Sequence, residues 1–123
     1  MKTALITGGA SGLGRVHALR LANEGYAVAI LDVNEAGLRE TASLSPGIHP
    51  FACDVTDLAK VRETVSDVIE AHGPIDRLVN CAAIMPGGRL LDHPAELVGR
   101  IMEINYTGMV NVCQTVIPAM VAR

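Results

Sequence analysis

Between Thr7 and Gly14 the chain reads Thr-Gly-Gly-Ala-Ser-Gly-Leu-Gly. This loop follows a short apolar run and opens a segment of helical periodicity, the setting in which glycines can hold a dinucleotide pyrophosphate. Gly8 allows a tight turn, Gly12 lets backbone approach a phosphate with no Cβ in the way, and Gly14 lets the helix lie close to the strand. The helix N-terminus then offers free N–H groups and a positive dipole end to an anion. Thr7, Gly8, Ser11, Gly12, Leu13 and Gly14 are therefore candidate cofactor contacts; the alternative is a glycine-rich turn with no ligand. Asp32 ends the next apolar run, eighteen residues past Gly14. A carboxylate there accepts two hydrogen bonds from adenosine ribose hydroxyls and repels a 2′-phosphate. Neither Ser11 nor Val33 is basic, so the pattern favours NAD over NADP. The alternative is a turn or helix-capping aspartate.

The elements that must position these residues are legible as alternating periods. Lys2–Thr7, Tyr26–Leu31, Ile48–Cys53 and Ile75–Asn80 are short apolar runs bounded by Gly, Pro and Asp. The third is the weakest and contains Pro50. Such runs suit strands buried on both faces of a parallel sheet. Gly14, Ala18, Leu21, Ala22 and Gly25 form a small-residue helical stripe, with Gly25 as its stop. Asn34 can cap a short helix through Leu38 and Ala42. Leu58, Val61, Val65, Val68 and Ile69 form a 3.6-period face, capped by Thr56 or Asp57 and ended by Gly73-Pro74. A last helix is expected from near Pro94 almost to Arg123. It is apolar on two sides, one stripe through Leu97, Ile101, Ile104, Gly108 and Val112. The other runs through Val98, Met102, Met109, Cys113, Val116 and Met120. The order β-α-β-α-β-α-β-α implies an α/β fold, a Rossmann-type doubly wound parallel sheet with right-handed crossovers. Met85–Pro94 is the longest expected loop.

Composition excludes several classes. The 123 residues are 50% hydrophobic and 19% charged, with a net charge of −3. That is too apolar for intrinsic disorder. The acidic balance and scattered Lys and Arg leave no footprint for nucleic acid or an anionic membrane. Aromatics are only 2%, so the core must be Ala, Val, Leu and Ile. No stretch approaches the ~18 apolar residues of a membrane span, and no signal-peptide h-region follows Lys2. Cys53, Cys81 and Cys113 contain no CxxC pair and are an odd number, which suits reduced thiols and a cytoplasmic location. His17, His49, His72 and His93 cluster with no acids or cysteines at ligand spacing, so no metal is expected.

Four motifs now stand in order: Thr7–Gly14, Asp54-Val55 after the third strand, Asn80-Cys81-Ala82-Ala83 after the fourth, and Asn105-Tyr106-Thr107-Gly108 in the last helix. Together they resemble the N-terminal half of the short-chain dehydrogenase/reductase family. The family's TGxxxGxG loop, Asp-Val pair, Asn-Asn-Ala-Gly signature and N-x-x-G asparagine match these positions respectively. Two positions depart from the signature, Cys81 for Asn and Ala83 for Gly. The resemblance implies that Asp54 bonds the adenine amino group with the Val55 amide beside it. It implies that Asn80 ties the fourth strand and borders the nicotinamide side, that Ala82 and Ala83 line the ribose, and that Asn105 is the catalytic candidate, holding a water in a proton relay. Asp54 could instead cap a turn before Thr56, and Asn105 could be a satisfied core amide.

The resemblance also implies a Tyr-x-x-x-Lys pair, because a phenol with a pKa of about 10 needs a nearby cation to exchange protons near neutrality. Four residues after Tyr26 and Tyr106 stand Ile30 and Val110, and the only lysines are Lys2 and Lys60. The expectation is therefore a single dinucleotide-binding domain over residues 1–123, with the C-terminal part of the family fold missing after the fourth strand and its helix. The parent would be an NAD(P)-dependent oxidoreductase of alcohols or ketones, its substrate a small molecule and its state a homo-oligomer. Alone, the chain is expected to be inactive, with an open β4 edge and a tendency to self-associate. The alternative is a non-catalytic nucleotide-binding or interaction module ending at Arg123. A methyltransferase is a third reading, disfavoured by the loop spacing and by the residues around Asn80.

Overall fold

The computed structural model describes all residues from 1 to 123. Four strands, β1 (Thr3–Thr7), β2 (Ala27–Asp32), β3 (Ile48–Ala52) and β4 (Ile75–Asn80), form one sheet in the order β3-β2-β1-β4. Every pairing is parallel. Helices α1 (Gly12–Asn23), α2 (Glu35–Ala42) and α3 (Leu58–His72) make the crossovers. Beyond β4 come a short 3-10 turn (Leu90–Asp92), α4 (Ala95–Met102), a π-helical stretch (Glu103–Gly108) and α5 (Met109–Val121). The expected doubly wound α/β sheet is the observed one.

The central strands are buried because their side chains alternate between two helical layers. Ala4, Ile6, Val28 and Ile30 join Ala18 and Leu21 of α1 and Leu38 of α2 in one cluster. Leu5, Ala29 and Leu31 point the other way, into a cluster with Val61, Val65 and Val68 of α3 and Val112 and Val116 of α5. β3 lies at a sheet edge, which is where a strand with Pro50 can sit without losing a ladder bond. β4 occupies the opposite edge, with Asp76, Arg77 and Asn80 exposed.

The helix signals acted as anticipated. Asn34 Oδ1 accepts from the Gly37 amide, and Asp57 rather than Thr56 caps α3 by accepting from the Lys60 amide. Gly25 and Gly73 end α1 and α3 with φ of 92° and 90°. The last helix corrects the expectation: α4 and α5 are separated by the π-helical stretch rather than continuous. A π turn holds an extra residue, so it rotates the two apolar stripes out of line. Gly108, at its end, lies where an added Cβ would stand 2.5 Å from Val55 Cγ2. Much of the second stripe is left exposed, Met102 at 56%. No helix is long and apolar enough to cross a membrane.

Candidate functional site

Parallel strands all point their C-terminal ends to one side, so the loops after β1, β2, β3 and β4 meet there. They enclose a cleft of about 370 Å³. Its walls include Gly8, Ser11, Gly12, Leu13 and Gly14 from the first loop, Asp32 from β2, Val55 after β3, and Asn80, Ala82 and Ala83 after β4. These residues come from four separate stretches of the chain.

The glycine loop is built as its residue types require. Gly8 has φ +72°, and a Cβ on it would stand 2.6 Å from the Cys81 backbone. A Cβ on Gly14 would run into the Gly8 carbonyl oxygen. Gly12, at φ +54°, faces open space, where a ligand has unobstructed access to backbone. Ser11 is the N-cap of α1 but makes no side-chain cap bond, and the first turn carries no acidic residue. The orphan amides of that turn are thus left for an anion.

Thr7 is placed differently from its neighbours in the motif. It is buried, and its Oγ1 accepts from the Cys81 and Ala82 amides at 3.1 Å each. It does not line the cleft; it holds the loop after β4 against the loop after β1. The Cys81 amide also reaches the Thr7 carbonyl. Cys81 therefore substitutes for Asn without loss of this tie, because its backbone makes it.

Asp32 has both roles weighed for it within reach. Its Oδ2 accepts from the Ala10 amide and its Oδ1 from the Asn34 amide, each at 3.1 Å, so it shapes the turn. It also lines the cleft, and each oxygen keeps a lone pair for a further donor. Asp54 uses one oxygen, Oδ1, to accept from the Thr56 amide and hydroxyl. Those bonds hold its carboxyl below the usual carboxylate range. Asp54 is the other candidate cofactor contact that does not line the cleft, although Val55 beside it does.

Asn80 is exposed to the cleft; its Nδ2 donates to Cys113 Sγ at 3.4 Å. Asn105 lies in the π-helical stretch, and one N–H and one lone pair of its amide are used on a single residue. Oδ1 accepts from the Ile84 amide at 2.9 Å and Nδ2 donates to the Ile84 carbonyl at 2.8 Å. The side chain is thus a satisfied amide that clamps the segment after β4, and its direct contact is with backbone.

Leu31, Val33, Cys53, Cys81, Ile84, Arg100 and Ile104 also line the cleft and were not anticipated. Leu31, Val33, Cys53 and Ile84 adjoin candidate residues and Cys81 stands inside the motif after β4, so all five could have been taken with them. Arg100 and Ile104 had no local signal, because α4 and the π stretch reach the cleft only through tertiary packing. Asn111 was also missed; its Nδ2 donates to the Val55 carbonyl at 3.0 Å and ties α5 to the cleft. Burial pushes the Cys53 and Cys81 thiols up, against any reactive thiolate. All three cysteines are free. The histidines form no metal-binding group with acids or cysteines, but His49 and His72 stack with ring centroids 4.2 Å apart.

Comparison with known proteins gives consistent findings. The family model for short chain dehydrogenase matches residues 2–123. A sorbitol dehydrogenase of Cereibacter sphaeroides is 39% identical over 122 residues, covering 98% of this chain and 48% of the relative. The structure of an NAD+-bound xylitol dehydrogenase superposes with a TM-score of 0.92 at 35% identity, covering 98% of this chain and 48% of that one. An actinorhodin polyketide ketoreductase (F189W) with NADPH gives a TM-score of 0.89 at 35% identity, covering 97% and 47%. The chain spans about half the length of these relatives.

Proposed function

The chain belongs to the short-chain dehydrogenase family, and from that premise we propose that its cleft takes a nicotinamide dinucleotide, NAD in preference to NADP. The whole protein would be an oxidoreductase of a small secondary alcohol or ketone, with residues 1–123 as its single dinucleotide-binding domain. One observation carries the reading: the glycine loop, Asp32 and the Asn80–Ala83 segment, distant in sequence, line one cleft at the C-terminal end of a parallel sheet.

The residues present fit such a group. The uncapped first turn of α1 and the open side of Gly12 make a seat for a pyrophosphate. Asp32 receives the adenosine ribose, while Val33 beside it offers no cation to a 2′-phosphate. The Val55 amide borders adenine, Asp54 stands beside it just outside the cleft lining with Oδ2 left for the adenine amino group, and Asn80, Ala82 and Ala83 border the nicotinamide ribose. Thr7 and Asn105 serve the site by holding backbone, the first at Cys81 and Ala82, the second at Ile84. When bound, the dinucleotide supplies the hydride donor or acceptor. This chain's residues bind it, orient it and keep water from its buried faces; we assign the acid–base pair to no residue of 1–123. The exposed apolar side of α4 and α5 supports a homo-oligomer, and the reduced thiols support a cytoplasmic location.

Among its relatives, the ketoreductase structure carries NADPH and the xylitol dehydrogenase NAD+, so Asp32 is the residue to test. Calorimetric titration of NAD+ and NADP+ should give at least tenfold tighter NAD+ binding. Asp32→Ala should weaken NAD+ roughly 10- to 100-fold, the value of one or two charge-assisted hydrogen bonds, and narrow the NAD+/NADP+ gap. Unchanged affinities for both cofactors would overturn the assignment.

A further inference from the structure

The glycine loop is held by a residue that never reaches the cleft. Arg15 stands one position past Gly14, on the side of α1 that faces α2. Its Nη2 donates to the Ala10 carbonyl at 2.6 Å and approaches the Gly37 carbonyl at 3.5 Å. The same nitrogen pairs with Glu40 Oε2 at 3.2 Å, and Nε donates to Thr41 Oγ1 at 2.9 Å. Thr41 is fully buried. One planar guanidinium thus joins the phosphate-facing loop to three residues of α2, a geometry that a lysine's point charge does not reproduce.

The loop residue it grips is gripped from the other side as well. The Ala10 amide donates to Asp32 Oδ2. Both polar groups of Ala10 are therefore held, the N–H by Asp32 and the C=O by Arg15. α2 makes room for this: a Cβ on Gly37 would stand 2.7 Å from the Ala10 oxygen. Ala10 itself is buried. Two residues further on is Gly12, the residue with open space over it.

We propose that Arg15 is the positioning residue of the pyrophosphate seat: by holding the Ala10 carbonyl against α2 it pre-organises the loop amides that meet the phosphates. The inference rests on the dinucleotide reading above. It assigns Arg15 no contact with the cofactor, since Arg15 does not line the cleft. Its effect should fall on ligands that carry a pyrophosphate and spare those that do not.

The test compares NAD+, ADP and adenosine on wild type, Arg15→Met and Arg15→Lys. Arg15→Met should weaken NAD+ and ADP about tenfold and leave adenosine within twofold. Arg15→Lys, which can restore one bond to Ala10 but not the fork, should recover part of that loss. Thr41→Val removes an anchor of the guanidinium without touching the loop, and should shift NAD+ and ADP in the same direction by a smaller factor. It also carries the test should Arg15→Met fail to fold. Equal weakening of all three ligands would reduce Arg15 to a merely structural residue, and unchanged NAD+ and ADP affinities would overturn the proposal. If wild type itself bound neither NAD+ nor ADP, the dinucleotide reading would fail instead.

Discussion

Two sides of the cleft are built by different means. On the β1–β2 side every strand residue but Asp32 is buried, and the loop after β1 sits on a cluster shared by α1 and α2. On the β4 side the strand is at the sheet edge and α4 has no buried residue. Apolar side chains such as Met102 and Tyr106 remain exposed there, at 56% and 59%. Each side nevertheless has a polar side chain that clamps its ligand-facing backbone, beside the bonds made by Asp32 and Thr7. Arg15 grips Ala10 on the first, Asn105 grips Ile84 on the second. The charged clamp is embedded in packing, whereas the neutral one stands in for packing. The first side therefore has little tolerance for added atoms, and the second depends more on its hydrogen bonds.

The largest effect should come from Gly14→Val, which forces a branched side chain into the Gly8 carbonyl. Overpacking at such a contact costs about 1–3 kcal/mol, and displacement of the loop should reduce NAD+ affinity at least 100-fold. Thermal melting and cofactor titration would check it; a variant with wild-type melting and binding would show that the first side is not close-packed. Asn105→Leu should come next. It deletes two hydrogen bonds and leaves the Ile84 groups unpaired, worth about 2 kcal/mol together. Amide exchange at Ile84 should accelerate while adenosine affinity holds. Loss of adenosine affinity would mean that the two sides are coupled, contrary to the contrast drawn here.

The smallest effect should come from pH. Burial, with the neighbouring His72 ring second, lowers the His49 pKa from its usual 6.5. The unfolded chain then takes up this proton more readily than the folded one. Stability should fall as pH drops through about 6.5 and level off below the folded value. Asp54 acts in a separate window. Its lowered pKa gives stability that is present above the usual 3.8 and lost as pH falls through the folded value. His49→Gln should flatten the first window without moving the second, as read by melting temperature against pH. A His49→Gln profile that overlays wild type would show that the stacked pair contributes nothing to the pH response.

Much of this molecule was legible from its residues. Four apolar runs bounded by Gly, Pro and Asp marked the strands, and β4 was placed at its observed limits, Ile75–Asn80. Asn34 and the Thr56/Asp57 pair marked helix starts, because short polar side chains at those positions satisfy orphan amides locally. The glycine loop was readable for the same reason, since its constraints are steric and act within a few residues. Ten of the twelve candidate cofactor contacts line one cleft. What separates Thr7 and Asp54 from the rest is the direction of a side chain, and a motif does not encode that.

Only the tertiary structure decided the remaining features. The π-helical stretch could not be read from two apolar stripes, because the extra residue is set by where Asn105 and Gly108 must meet Ile84 and Val55. Arg100 and Ile104 reach the cleft from a helix whose approach depends on that turn. The Arg15 fork reaches a partner 26 positions away, and no periodicity links the two. Sequence by itself determined the elements, their order and the chemistry of the loop, because those follow from local sterics and alternation. The clamps that hold the cleft open were decided by packing between elements, where the partner of a side chain is whatever the fold brings beside it.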